Sequence, residues 1–253
     1  MTMLSRATRK LYYEDAYRKR CTAAVVKTGA DHVELDATVA YPEGGGQEAD
    51  CGVIRTAGGE VLRFIGARKL YGSPVNLPDV PDIEAGGVIQ HIVHPDDVAA
   101  LSRLAAGEAA EIEIDADRRS RLSLSHTASH LLYIAIGMVR ADLDVIGCHI
   151  KPDGARFDFR VRDRFTETEI RTIETLANGF VERASDIRTY SHDTVPDARY
   201  WECEGHVIPC GGTHLDNTRA VGPLQVKRKN LGAGKERISC SFAEARYDLG
   251  RYH

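Results

Sequence analysis

The sequence predicts an α+β protein: a small β-barrel-like N-terminal domain, residues 1–116, followed by an α+β domain, residues 117–253, with helices packed on a mainly antiparallel sheet. Three observations carry this expectation. Short alternating segments punctuated by Gly, Pro and Asp fill the first half. The texture changes near Ala116 to a long helix-like run, and clean alternation returns further on. The composition is that of an ordinary globular chain, with 253 residues of which 43% are hydrophobic and 28% charged, close to the usual averages. That excludes disordered, collagen-like and fibrous classes.

Taken in order, residues 22–41 alternate and break at Gly29-Ala30-Asp31 in the manner of a hairpin. Tyr41-Pro42-Glu43-Gly44-Gly45-Gly46-Gln47 follows, and three consecutive glycines do not belong inside a regular strand. They permit positive φ and close approach of another backbone, so a shaped loop is expected. Residues 51–58, 60–69, 86–94 and 108–115 read as further short strands, with Gly72–Pro81 an exposed connection. Residues 118–139 read as a helix rich in straight-chain formers and Ala. Arg156–Val161 alternates, placing Phe157, Phe159 and Val161 on one face. Thr166 and Glu169 form a capping-box signature, and behind them Ile170, Ile173, Leu176, Ala177, Phe180 and Val181 recur at helical spacing. Leu224–Arg228 and Arg237–Phe242 return to strands.

Thirty-three basic against thirty-seven acidic side chains give a net charge of −4. A wholesale basic nucleic-acid coat is excluded, while a local basic patch is not. No apolar run approaches the ~18–20 residues that cross a bilayer, so no membrane is expected. The N-terminal stretch is charged and has no apolar core of the secretory type. Six cysteines (Cys21, Cys51, Cys148, Cys203, Cys210 and Cys240) without such a signal argue against a disulfide framework. A reduced, soluble, cytoplasmic protein is the expectation.

The chemistry concentrates in two places. His126 and His130 lie four apart on the predicted helix, so both imidazoles project from one face about one turn apart. Some eighty residues downstream, Cys210-Gly211-Gly212-Thr213-His214 offers a thiolate and an imidazole across a flexible turn. Together these supply the donor set that zinc prefers. Two competing arrangements exist: Cys203 and His206 joining Cys210 and His214 in a separate finger, and the adjacent pair Cys148-His149. The donor types fit either a closed structural site or a catalytic one with an open position. Arg118, Arg119 and Arg121 before the histidine helix, and Lys227, Arg228, Lys229, Lys235 and Arg237 near the end, are candidate phosphate contacts. Elsewhere such charges usually form a solvated face.

His-Thr-Ala-Ser-His followed by Cys-Gly-Gly-Thr-His resembles the zinc-binding editing domain of alanyl-tRNA synthetase and its free-standing AlaX relatives. The Tyr41–Gln47 loop, with Asp50 and Gly52 after it, resembles the glycine-rich motif of the small N-terminal domain in medium-length AlaX proteins. The resemblance runs from about residue 20 to 245. It implies an aminoacyl-tRNA deacylase that removes serine, and often glycine, from mischarged alanine tRNA. A pocket for alanine discriminates by only ~1–3 kcal/mol per methylene-sized difference, so a second sieve is needed. The resemblance implies zinc held by His126, His130, Cys210 and His214, with Thr38 and Gln47 as catalytic residues and Thr38 recognising the serine hydroxyl. It also implies that Gly44, Gly45, Gly46 and Gln47 close over the acceptor end of an aminoacylated tRNA; Arg118, Lys227 and Arg228, from the basic clusters that flank the metal motifs, are the further substrate contacts expected. No nucleotide cofactor is expected, because the chain shows no ATP-dependent activation motif. Ala40 and Glu48 depart from the Phe and Pro common in the family, which bears on amino-acid specificity. A deacylase for another aminoacyl-tRNA and a silent tRNA-binding module with structural zinc are the alternatives. Oligomeric state is not legible.

Overall fold

In the computed structural model residues 7–253 are described, apart from 79 and 142, and for 81 and 82 the backbone alone. Six antiparallel strands close a barrel in the order Ala109–Ile114, Arg20–Thr28, His32–Leu35, Val88–Val93, Val61–Leu70 and Gly52–Thr56, the last pairing back onto the first. The hairpin turn falls at residues 29–31, as the sequence predicts. Inward positions of successive strands, among them Val25, Val33, Ile54, Leu62 and Ile112, fill the barrel and are all nearly inaccessible. Closure leaves no unpaired edge.

Helix α1, Ala116–Val139, leaves the barrel directly. Asp115 caps it, its side chain accepting from the backbone N–H of Arg118. Helix α2, Glu167–Glu182, opens with the predicted capping box, in which Thr166 and Glu169 satisfy each other's backbone N–H. Both helices pack on an antiparallel sheet of Asp144–Lys151, Gly154–Arg160, Lys235–Ser241 and Gln225–Gly232. Phe157, Phe159, Ile238 and Val226 face the helices from this sheet and form the second core with Leu131, Leu132, Ile173 and Phe180. A three-stranded sheet, Ile187–Ser191, Arg199–Cys203 and His206–Pro209, completes the mixed architecture.

Two expectations change. The stretch from Gly72 to Pro81 is not a plain exposed connection: Ser73–Leu77 and Val80–Ala85 form a hairpin. Val80 is buried against Ala198 and against Tyr200 of the later sheet, which gives the excursion an apolar anchor. The second concerns length: α1 contains an 18-residue stretch of mean hydropathy 1.3, long and apolar enough to cross a membrane. Seventy-eight per cent of that stretch is buried inside the protein, so its apolar character is that of a central core helix. All six cysteines are free thiols, in keeping with the absence of a disulfide framework.

Candidate metal centre

One face of α1 carries His126 and His130, both buried, their ring centroids 4.9 Å apart. The Cys210–His214 turn leaves the His206–Pro209 strand and folds against them, anchored by the Cys210 N–H donating to the Arg199 carbonyl at 2.8 Å. Cys210 Sγ lies 3.4 Å from His126 Nε2 and 3.3 Å from His214 Nε2. The four ligand atoms of His126, His130, Cys210 and His214 all fall within 4.8 Å of one another. Nitrogen and sulfur donors at usual zinc bond lengths around a tetrahedral ion stand roughly 3.3–3.6 Å apart, so these residues fit a zinc ion.

Electrostatics agree with that fit. Burial pulls the His126 imidazole down to about 3 and holds His130 and His214 well below the ordinary histidine range, so all three are neutral and have lone pairs to offer. Burial likewise pushes the Cys210 thiol up to about 12, a cost that a neighbouring divalent cation reverses. Nδ1 of His130 and Nδ1 of His214 are buried without a hydrogen-bond partner, which suits imidazoles placed for something other than structural hydrogen bonding.

Gln47 joins the two motifs from behind. Its Oε1 sits 2.7 Å from His126 Nδ1 and accepts the Thr213 N–H at 3.1 Å, while its Nε2 donates to Thr213 Oγ1 at 3.0 Å. Ser123, one turn before His126, donates to the same Thr213 oxygen at 2.9 Å. Two glycines make this approach possible. A Cβ on Gly212 would stand 2.1 Å from the His126 ring, and one on Gly46, at φ 85°, would meet Cys148 Sγ at 2.8 Å. Gly46 therefore seats the loop against the Asp144–Lys151 strand, its carbonyl accepting from Ile150 N–H at 2.7 Å.

His126, His130 and Cys210 of the cluster line a cavity of about 500 Å³ between the barrel and α1, and His214 lines an adjoining pocket. Gly44 and Gly45 line it, whereas Gln47 and Thr38 do not. Gln47 thus lies behind the cluster, hydrogen-bonded to His126 and Thr213 and outside the cavity lining. Thr38 is fully buried, its hydroxyl 2.8 Å from His91 Nε2 and accepting from Ala40 N–H at 3.0 Å. The structure does not bring it to the cavity. The residues that line the mouth, Tyr133 and Lys69 among them, escaped the sequence reading. Tyr133 had a signal, its place on the helix face of the two histidines, whereas Lys69 had none.

The other candidates sort clearly. Cys203 is buried in the core opposite His206, whose ring packs on Phe180 at 5.8 Å, so the separate finger does not form. His149 meets Glu48 at 3.0 Å instead of a metal. Arg118 braces the glycine-rich loop by donating to the Ala49 carbonyl and the Glu48 carboxylate, each at 2.9 Å. Arg119 is no surface charge: it is fully buried, paired with Asp50, and donates to the carbonyls of Val39 and Ala16. Arg121 pairs with Asp117 at 2.8 Å. Arg228 and Arg237 are engaged by Glu236 and Asp158. Lys227, Lys229 and Lys235 stand exposed on their strands.

A closed barrel joined to an α+β layer carries a His₃Cys cluster that could hold a metal ion, assembled from two distant sequence motifs. No family profile matches the chain. It is 35% identical to the alanine–tRNA ligase of Ignicoccus hospitalis over 87% of its length, and 34% identical to that of Methanopyrus kandleri over 94%. It spans about a quarter of the length of these ligases, 24% and 26% respectively. It is also 31% identical to the alanyl-tRNA editing protein AlaX-M of Pyrococcus horikoshii, over 91% of this chain and 96% of that protein. The chain belongs to the AlaX-M alanyl-tRNA editing protein family.

Proposed function

We propose that this protein is a cytoplasmic, zinc-dependent aminoacyl-tRNA deacylase that edits mischarged alanine tRNA. The observation that carries the reading is the four-ligand cluster, three of whose members, His126, His130 and Cys210, line a cavity walled by Gly44 and Gly45. In the reaction, water adds to the acyl carbon and the amino acid leaves the terminal ribose, whose hydroxyl recovers a proton. A zinc ion held by His126, His130, Cys210 and His214 would supply fixed positive charge for the carbonyl oxygen and amino group. Everything else is the work of the chain. Gln47 accepts the Nδ1 proton of His126 and so aims Nε2 inward. Tyr12, Tyr41 and Pro42 give that side of the cavity an apolar lining, and a low local dielectric strengthens electrostatic contacts inside. Arg118 holds the loop that carries the glycines.

The division of labour supports two domains, residues 1–116 supplying the loop and residues 117–253 the ligands. Serine and glycine are the proposed acyl groups. Lys227 and Lys229, exposed and two apart on one strand, are the proposed phosphate contacts. Incubating the purified zinc-loaded chain with alanine tRNA charged with serine, glycine or alanine, and with threonine tRNA charged with serine, tests the reading. Release of serine from alanine tRNA, with the correct alanine ester spared, is the expected result. Hydrolysis confined to threonine tRNA would move the activity to another tRNA, and no hydrolysis at all would leave a binding module.

A further inference from the structure

α1 carries a third residue on the face of its two histidines. Tyr133 follows His126 by seven positions and His130 by three, so it stands along the same face, about one helical turn (~5.4 Å) beyond the cluster. It borders the cavity and keeps 41% of its surface exposed. Phe157 backs the ring, centroids 5.4 Å apart and planes tilted by 39°. Val145 and Ile208 extend this apolar rim. On the barrel side, Lys69 is the only lysine or arginine among the described residues that line the cavity. Burial lowers its ammonium from the usual lysine range, and its Nζ donates to the Glu84 carbonyl.

We propose that this mouth is a nucleoside subsite, in which the 3′-terminal base of the tRNA stacks on Tyr133 and the adjoining phosphate meets Lys69. The inference rests on the editing reading above. An aromatic ring backed by a second ring and left open on its cavity side is the arrangement on which unpaired bases stack. The spacing suits it: a ribose separates an ester on its hydroxyl from its base by a few bonds, as one helical turn separates His130 from Tyr133. The cavity suits it as well, since about 500 Å³ exceeds what an aminoacyl group alone fills and lies in the range of larger organic ligands. The Lys69 ammonium, with Lys10 behind it and Glu43 elsewhere in the lining, is the positive charge that this cavity offers to one phosphate. Such a subsite measures the ester's distance from the base and explains why an amino-acid ester without its nucleoside should be a poor substrate.

Alanine tRNA carrying 2-aminopurine as its 3′-terminal base reports stacking directly, because stacking quenches its fluorescence. With the zinc-loaded full-length chain, binding should quench the probe severalfold. Tyr133→Leu should abolish the quench and raise Kd about tenfold, the scale of one base on one aromatic, while Tyr133→Phe should keep both. Lys69→Met should lower the slope of log affinity against log salt by about one phosphate contact. Equal quenching in Tyr133→Leu and parent, with tRNA bound in both, would overturn the stacking site. An unchanged salt slope would remove Lys69 from it. Failure of the parent to bind tRNA in a gel-shift titration would overturn the editing reading itself, a result distinct from either.

Discussion

Gln47 Oε1 stands 2.7 Å from His126 Nδ1, and the same oxygen accepts the backbone N–H of Thr213 at 3.1 Å. One amide oxygen from the barrel's loop thus ties the ligand helix to the ligand turn. The acceptor fixes the proton of His126 on Nδ1 and leaves Nε2 as the donor atom facing Cys210. Gln47→Leu keeps the volume and removes that acceptor. It should weaken zinc affinity about 10–100-fold, as read by competition with a chromogenic chelator. Unchanged affinity would mean that the hydrogen bond does not govern the ligand.

How much of this was legible in the sequence follows from the range of each interaction. The His126/His130 pair and the Cys210–His214 turn are local patterns, so their chemistry shows in the letters. The capping box at Thr166 and Glu169 is equally local, and the structure contains it. Arg119 misled because its partner Asp50 lies sixty-nine positions away; beside Arg118 and Arg121 it reads as one more surface charge. The placement of Thr38 was hidden for a related reason. Its partner His91 comes from a strand that pairs only once the barrel closes. Nothing near Gly72–Pro81 announces that Val80 will dock on Tyr200.

The ligand set itself is testable against its nearest rival. Cys210→Ala should drop zinc well below one ion per chain and abolish deacylation. Cys203→Ala should leave zinc unchanged, because Cys203 is sealed in the core beside the Phe180 layer. Metal analysis by mass spectrometry of both variants decides the matter. Zinc loss in the Cys203 variant, or full zinc in the Cys210 variant, would break the assignment.

Acid stability should carry a contribution from His91. Burial lowers its imidazole from 6.5 to about 4, so between those values the unfolded chain binds a proton that the folded chain refuses. Stability from this group is complete above pH 6.5 and falls as pH drops toward 4, by at most about 3 kcal/mol. His91→Leu should be less stable than the parent at pH 7.5, since the Thr38 hydroxyl loses its partner, and the deficit should shrink as pH falls. Urea denaturation of the two proteins across pH 4.5–7.5 measures this. A deficit independent of pH would show that His91 does not carry the proton linkage.

The basic strand separates into two kinds of residue. Lys227 and Lys229 are exposed, so replacing both by Ala should flatten the salt dependence of tRNA binding and change stability by less than about 0.5 kcal/mol. Arg228 is bidentate on Glu236, which is only 1% exposed and also accepts the Phe165 N–H. Arg228→Ala should therefore leave the salt slope alone and cost roughly 1–3 kcal/mol of stability. Comparing salt titrations with denaturation curves distinguishes them. A reversed pattern would place the phosphate contact on Arg228.

Thr38 gives the sharpest test of geometry against resemblance. A threonine that recognises a substrate hydroxyl must present its oxygen to the cavity. Here that oxygen faces His91 Nε2 at 2.8 Å and accepts the Ala40 N–H at 3.0 Å, inside the barrel. His91 Nδ1 in turn stands 3.1 Å from the Val33 carbonyl, so Nδ1 carries the proton, Nε2 accepts, and Thr38 is the donor. The three groups together fix the backbone that leads through Ala40 to Tyr41 at the cavity wall. Thr38→Val keeps the shape and leaves His91 Nε2 and the Ala40 N–H without their partner, which should cost roughly 1–3 kcal/mol of stability. The ratio of kcat/KM for serine-charged over alanine-charged tRNA should stay within about twofold of the parent, with zinc content intact. Ala40→Phe is not expected to change that ratio either, because Ala40 is fully buried in the barrel core and does not line the cavity. Its extra volume should appear as a loss of stability of about 1–3 kcal/mol. A collapse of the serine preference in Thr38→Val at unchanged stability would return Thr38 to the substrate and require its hydroxyl to leave His91 when the ester binds.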